Sequence, residues 1–260
     1  MHFSYRSALS RPLALTVLAA LGALIAGPAA RAGVPFVTDD PGTVDKGHYE
    51  IDIANQFTHT HDENSGVIVG VEVDYGVTEH LELDVFVPLS FDHSFGERSH
   101  VGPGDIQVSV KYRFLDADDD GWRPSIAVAP TLIAPSGNAD HDLGTGHTHG
   151  FLPVLIGKEF GKWNAFGSAG YNINPGPNNR DWWFTGAGLT RDINESWTLG
   201  GEVYYASAQE KDKKGGAGFN VGGIYNINDT YHLLLSVGRN FTNARQLNLI
   251  TYYAGIQLTF

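Results

Sequence analysis

The stretch Leu81-Glu82-Leu83-Asp84-Val85-Phe86-Val87-Pro88-Leu89-Ser90-Phe91 alternates apolar and polar positions. Leu81, Leu83, Val85, Val87, Leu89 and Phe91 share one face of an extended chain; Glu82, Asp84 and Ser90 share the other. A strand of a soluble protein commonly runs about five or six residues. This one is about twice as long, close to the ~9–11 residues a tilted strand needs to cross a bilayer.

The same period extends outward in both directions. Ile106, Val108, Val110, Tyr112 and Phe114 oppose Gln107, Ser109, Lys111 and Arg113. Ile250, Tyr252, Ala254, Ile256, Leu258 and Phe260 oppose Thr251, Tyr253, Gly255, Gln257 and Thr259. Read this way, the chain carries twelve expected strands, at 48–58, 66–76, 80–91, 103–115, 122–134, 150–160, 162–173, 181–191, 196–207, 217–227, 230–240 and 247–260. An even number of long amphipathic strands predicts an all-β fold, an antiparallel transmembrane β-barrel of the outer-membrane type.

The connections alternate too. Those at 77–79, 116–121, 161, 192–195 and 228–229 are short; those at 59–65, 92–102, 135–149, 174–180, 208–216 and 241–246 are longer or rich in Gly, Asn, Asp and His. Barrels of this type have short periplasmic turns and longer external loops, which puts both termini in the periplasm. Aromatic residues mark the short-turn side. Tyr49, Trp122, Trp163, Trp197 and Tyr231 open strands there, and Tyr75, Phe114, Phe160, Tyr225 and Phe260 close them, as an interfacial girdle requires. The alternating last strand ending on Phe260 has the form of a signal read by the barrel-assembly machinery.

Composition agrees. The 32 glycines suit twisted walls and polar loops, and mean hydropathy is only −0.17 because a barrel strand shows lipid at every second residue. The absence of cysteine excludes disulfides and thiolate chemistry. Residues 1–32 read as a cleaved signal peptide: Arg6 and Arg11 precede the apolar run Leu13 to Ile25, and Ala30-Arg31-Ala32 fits a cleavage site. Without them the chain has 14 basic and 29 acidic side chains, a net charge of −15, which excludes nucleic acid as a partner. Residues 33–47 form a turn-rich periplasmic leader, followed by the barrel at 48–260.

Several segments resemble one family. They are Pro35-Phe36-Val37-Thr38-Asp39-Asp40-Pro41, then Tyr75-Gly76-Val77-Thr78-Glu79-His80-Leu81-Glu82-Leu83, then Gly102-Pro103-Gly104-Asp105 with Lys111-Tyr112-Arg113-Phe114. Pro135-Ser136-Gly137 with Gly144-Thr145-Gly146 completes the set. Together they resemble the outer-membrane protein family of the MetA pathway of phenol degradation. The resemblance implies a barrel and, by association with aromatic catabolism, a role in uptake. It carries over no functional residues.

Two constellations bear on function. Glu50, Asp52, Glu72, Asp74, Glu82 and Asp84 fall on the lumen face near the periplasmic end, with Lys111, Arg113 and Lys158 at the same level. Strands about 4.8 Å apart bring such charges together, as a structural network or a selective constriction. The leader is expected to tuck into the periplasmic mouth, where Asp39, Asp40 and Pro41 would meet Lys111 and Arg113. The second constellation is in the external loops, where the pairs His59/His61 and His147/His149 each place two imidazoles at i and i+2, a spacing that can serve Zn, Cu or Ni. No nucleophile or phosphate-binding motif accompanies either constellation, so neither an enzyme nor a cofactor is expected. The expected function is that of a monomeric channel in outer-membrane lipid, passing a small aromatic or hydrophobic solute. The alternative is a structural or surface-binding barrel that holds metal through its loop histidines.

Overall fold

A computed structural model describes residues 35–118 and 121–260. Its fourteen hydrogen-bonded segments make twelve spans of one antiparallel sheet. These are β1 (Tyr49–His59), β2 (Glu63–Thr78), β3 (Leu81–Ser94), β4 (His100–Pro103 and Ile106–Leu115) and β5 (Ser125–Val128 and Thr131–Ala134). They continue as β6 (His149–Phe160), β7 (Trp163–Ile173), β8 (Trp182–Asp192), β9 (Trp197–Ala206), β10 (Gly216–Asn226), β11 (Tyr231–Asn240) and β12 (Ile250–Thr259). Each strand pairs with the next in sequence, and β1 pairs with β12 in the register Ile53↔Ile256, so the sheet closes into a barrel. Closure removes the unpaired edges that an open sheet would expose. The residues expected to form a signal peptide, with their cleavage site near Gly33, lie outside the described residues.

Burial is inverted relative to a soluble protein. Asp52, Glu82, Glu202, Asn220 and Gln257 are buried, whereas Leu83, Val87, Val108, Ile156, Val221 and Ile256 are exposed. Water would penalise that outer surface heavily, and a hydrocarbon layer does not. Buried apolar side chains gather in small patches, among them Ala54 with Ile224, Leu234 and Tyr253, and Ala127 with Ala129 and Leu155.

Two strands are interrupted. β4 breaks at Gly104-Asp105 and β5 at Ala129-Pro130. Proline has no N–H to give to a ladder. Prolines interrupt four neighbouring strands at two levels, Pro88 of β3 beside Pro103 of β4 and, further along the wall, Pro130 of β5 beside Pro153 of β6. Backbone hydrogen bonds persist at each level: Gly104 donates to the Pro88 carbonyl (2.9 Å) and Val110 to that of Pro130 (3.2 Å).

β2 begins earlier than its composition suggests, at Glu63, so the β1–β2 connection is only 60–62 rather than 59–65. Gly66 explains the difference. Its φ is +150°, and a Cβ there would strike the Gln56 carbonyl of β1, so the glycine marks a close approach inside the sheet and not a loop. The pairing shifts register nearby, and Asn55 Nδ2 stitches the irregularity by donating to the carbonyls of Val67 (2.7 Å) and Ile68 (3.1 Å).

At the short-turn end Tyr49 lies 4.7 Å from Tyr75 and 6.2 Å from Phe260, ring centre to ring centre. Trp197 packs on Tyr225 at 4.6 Å, and Arg191 covers Trp163 at 5.0 Å. Trp122 does not open a strand: it precedes Ser125 and is 98% exposed. Two of the tight turns are fixed by asparagine. Asn194 Oδ1 accepts from the N–H groups of Ser196 and Trp197, and Asn228 Oδ1 from those of Thr230 and Tyr231. Tyr49 and Phe260 exchange both backbone hydrogen bonds, so the first and last strands meet at this end.

Candidate channel constriction

Three strands place the acids. Glu50 of β1 is opposite Asp74 of β2, which is opposite Asp84 of β3; Asp52 is opposite Glu72. Directly opposed side chains on one face lie about 4.5–5.5 Å apart at Cβ, so this is a continuous carboxylate ladder. Glu82 continues it towards β4, where its register partner is Lys111. Asp84 accepts a hydrogen bond from Ser109 Oγ, and Gln257 Nε2 of β12 donates to Glu50 (2.7 Å) and Asp52 (3.4 Å).

Of the three bases expected at this level, Lys111 alone faces the ladder. Its Nζ lies 3.4 Å from Glu82 Oε1 and 3.2 Å from Asp39 Oδ2 of the leader. Arg113 turns to the strand end, donating to Asp116 Oδ1 (2.9 Å) and to the Glu79 carbonyl (2.7 Å). Lys158 donates to the carbonyl and carboxylate of Asp118. Both side chains are long and sit near the end of the wall, so nearer acids and carbonyls in the turns capture them.

The leader runs through the lumen. Pro35 accepts from Ser236 Oγ of β11 at 2.6 Å. The N–H groups of Val37 and Thr38 donate to the two carboxylate oxygens of Glu202 on β9, at 2.8 and 2.7 Å. Phe36 packs on Phe166 of β7 at 6.0 Å, and Thr38 is fully buried against Gly186 of β8. Asp39 meets Lys111, Pro41 fills the space beside Gly157 of β6, and the Val44 N–H donates to Glu82. Asp40 accepts from Asn164 of β7 at 3.4 Å. Burial, then the neighbouring charge of Asp39, push the Asp40 carboxyl up to about 7. The leader thus joins opposite walls. It meets Lys111, as its sequence suggests, but Arg113 does not take part.

Glu202 was not singled out in the sequence, although it is the residue that holds the leader's backbone. The signal was there: an acid with inward phase in Leu199-Gly200-Gly201-Glu202-Val203, far from any base. It is 4% exposed and also accepts from Asn220 Nδ2 at 2.5 Å.

At the opposite end the motifs quoted above converge. Asp105 Oδ1 accepts from the Gly137 N–H (2.9 Å), and Oδ2 from the N–H and hydroxyl of Thr145 (both 2.7 Å). Ser136 Oγ donates to the Gly104 carbonyl at 2.9 Å.

The loop histidines have separate partners. His59 Nδ1 bonds Asn64 (2.7 Å) and His61 Nδ1 bonds Asp62 (2.6 Å). Asn179 Nδ2 donates to His147 Nε2 (2.8 Å), and His149 Nδ1 lies 3.2 Å from Thr145 Oγ1. Among the described residues, none of the four belongs to a cluster of three convergent His, Asp or Glu donors.

A closed wall that is apolar outside and charged inside, with a segment threaded through it, defines a transmembrane β-barrel of the outer-membrane type. The chain belongs to the family described as "Putative MetA-pathway of phenol degradation", whose model matches residues 32–254. The COG4313 outer membrane channel from Pseudomonas putida F1 superposes with a TM-score of 0.68 at 16% identity, covering 85% of this chain and 98% of that one. The NanC porin (TM-score 0.55, 12% identity, 81% and 98% covered) and the KdgM porin (0.55, 13%, 81% and 99%) share the architecture. These likenesses carry the fold. No curated protein sequence matches the chain.

Proposed function

We propose that the protein is a passive channel of the outer membrane for a small solute, aromatic or hydrophobic in keeping with its family, with the docked leader setting the bore. The observation that carries this reading is the bridge Asp39–Lys111–Glu82, which ties the leader to the carboxylate ladder inside the wall. Glu50, Asp52, Glu72, Asp74, Glu82 and Asp84 with Lys111 line the constriction; Arg113 and Lys158 brace its periplasmic rim. The working unit is a monomer with both chain ends at the periplasmic face, and it is not an enzyme. Twelve strands lie between the eight that close around side chains and the sixteen or more that leave an open pore, so one peptide segment suffices to fill much of the lumen. Deleting residues 35–44 is expected to raise single-channel conductance in a planar bilayer, with the barrel still resistant to unfolding in detergent. An unchanged conductance overturns the reading.

The interrupted strands β4 and β5 favour a second route, out through the wall between β3 and β6, where prolines and chain breaks remove hydrogen bonds from the ladder. The two routes separate if the leader is locked. Thr38 Cβ lies 3.1 Å from the place a Cβ would take on Gly186, shorter than the ~3.5–4.5 Å Cβ spacing of a disulfide, so the leader has to back off slightly for a bridge to close. With Thr38→Cys and Gly186→Cys oxidised, solute flux that survives while ion current falls identifies the wall route. Loss of both identifies the lumen.

A further inference from the structure

We infer that Glu50, Asp52 and Asp74, together with the side-chain oxygen of Gln257, form a binding site for a divalent cation of the calcium type in the lumen wall. This goes beyond solute passage and does not depend on it.

One carboxylate oxygen from each of Glu50, Asp52 and Asp74 lies within 4.8 Å of the others, the span of a single coordination sphere. The three come from facing positions on β1 and β2, and Gln257 enters from the other side of β1 as the register partner of Asp52. Extended, hydrogen-bonded strands hold all four, so the donors are preorganised in a way that the loop histidines are not.

A cluster of acids alone would not indicate a ligand; the buried, unpartnered Asp52 Oδ1 does, and Gln257, whose Nε2 faces the acids, adds an oxygen that a half-turn of its amide would bring to them. Asp52 is 3% exposed and its Oδ1 has no hydrogen-bond partner; Gln257 is 0% exposed and its Oε1 has none. Both are acceptors, buried where acceptors already outnumber donors. Buried acceptors left unsatisfied are uncommon and point to a missing proton, water or ion. Lys111 makes its ion pairs with Asp39 and Glu82, and among the described residues no Lys or Arg pairs with Asp52 or Asp74. Gln257 donates its amide into the trio. Rotation of that amide by half a turn exchanges Nε2 for Oε1 and presents a fourth oxygen.

The donor chemistry selects the ion. An all-oxygen set of carboxylates and an amide carbonyl suits a hard cation and has no imidazole or thiolate to favour zinc or copper. Magnesium prefers to keep several waters in a strict octahedron, whereas calcium accepts more protein oxygens in irregular geometry. A crowded site on a wall suits the second.

The test is calcium titration by calorimetry of the folded mature protein in detergent, stripped beforehand with a chelator. Saturable binding near one ion per chain is expected. Asp52→Asn and Asp74→Asn should each weaken it at least tenfold, with the barrel's heat-modifiable mobility on gels retained, and the double variant His59→Ala/His61→Ala should leave it unchanged. No saturable binding by the folded protein overturns the proposal, as does unaltered affinity in a folded Asp52→Asn or Asp74→Asn variant. Should both asparagine variants fail to fold, terbium replaces calcium. Emission sensitised by Tyr253, inward-facing two rows from Gln257, should disappear in Tyr253→Phe while calcium affinity stays. Emission indifferent to Tyr253 overturns the site. Leader deletion alters conductance under the channel reading but leaves Glu50, Asp52 and Asp74 in place, so the two proposals fail separately.

Discussion

Asp105 and Thr145, forty positions apart in sequence, are joined by two hydrogen bonds of 2.7 Å to one carboxylate oxygen. The other oxygen takes the Gly137 N–H, so a single side chain at the break in β4 anchors both ends of the 135–148 loop. Asp105→Ala leaves three donors without their charged acceptor, at about 1–3 kcal/mol for partly solvated groups. The amides of Gly137 and Thr145 should exchange with solvent faster, while β1–β3 keep their protection; hydrogen exchange read by mass spectrometry measures this.

Glu202 predicts a gain of function on removal. Glu202→Ala withdraws the carboxylate that accepts from Val37 and Thr38, each bond to a charged acceptor being worth about 1.5–3 kcal/mol. The leader should dissociate more often, and single-channel records should show longer or larger openings. Gly186→Leu reaches the same end by crowding, because a side chain there collides with Thr38. Agreement between the two would assign the openings to the leader rather than to damage of the wall.

Asp40 makes docking depend on pH. In the docked leader its carboxyl titrates near 7, and in a free segment near 3.9. The docked form therefore holds an extra proton between those values, and raising the pH works against it. The ratio of undocked to docked leader should climb by up to tenfold per pH unit between about 4 and 7 and then level off. Current recorded from pH 5 to pH 8.5 should show the rise, and Asp40→Asn should abolish it.

Much of the wall was readable because a strand crossing a bilayer must alternate over its whole length. Leu81 to Phe91 did so, and the ladder Glu50–Asp74–Asp84 followed from phase alone. Residues whose partners lie far away in sequence were less readable. Arg113 and Lys158 have inward phase, but their reach exceeds the strand spacing, so position along the strand, and not face, decided their partners. Gly66 and Asn64 have the composition of a loop and lie in a strand, since the approach of β1 that requires glycine is a tertiary fact. Glu202 carries its role only once the leader is placed opposite it. Asn194, Asn228 and Asn240 each begin an Asn-x-Ser/Thr tripeptide, a composition suited to turns; Asn194 and Asn228 make such turns, whereas Asn240 is buried at the end of β11 and accepts from the Tyr204 hydroxyl at 3.1 Å.

The leader's route also constrains how the molecule is made. It touches β3 and β4 on one side and β9 and β11 on the other, and the seam between Tyr49 and Phe260 joins the first strand made to the last. Until that seam forms, the segment is a free tail at the start of an open sheet. Either the wall winds around it, as around a mandrel, or a finished cylinder must be re-entered from the end where the seam lies. In the first case the order of synthesis is also the order of insulation, with the leader enclosed by the residues that follow it.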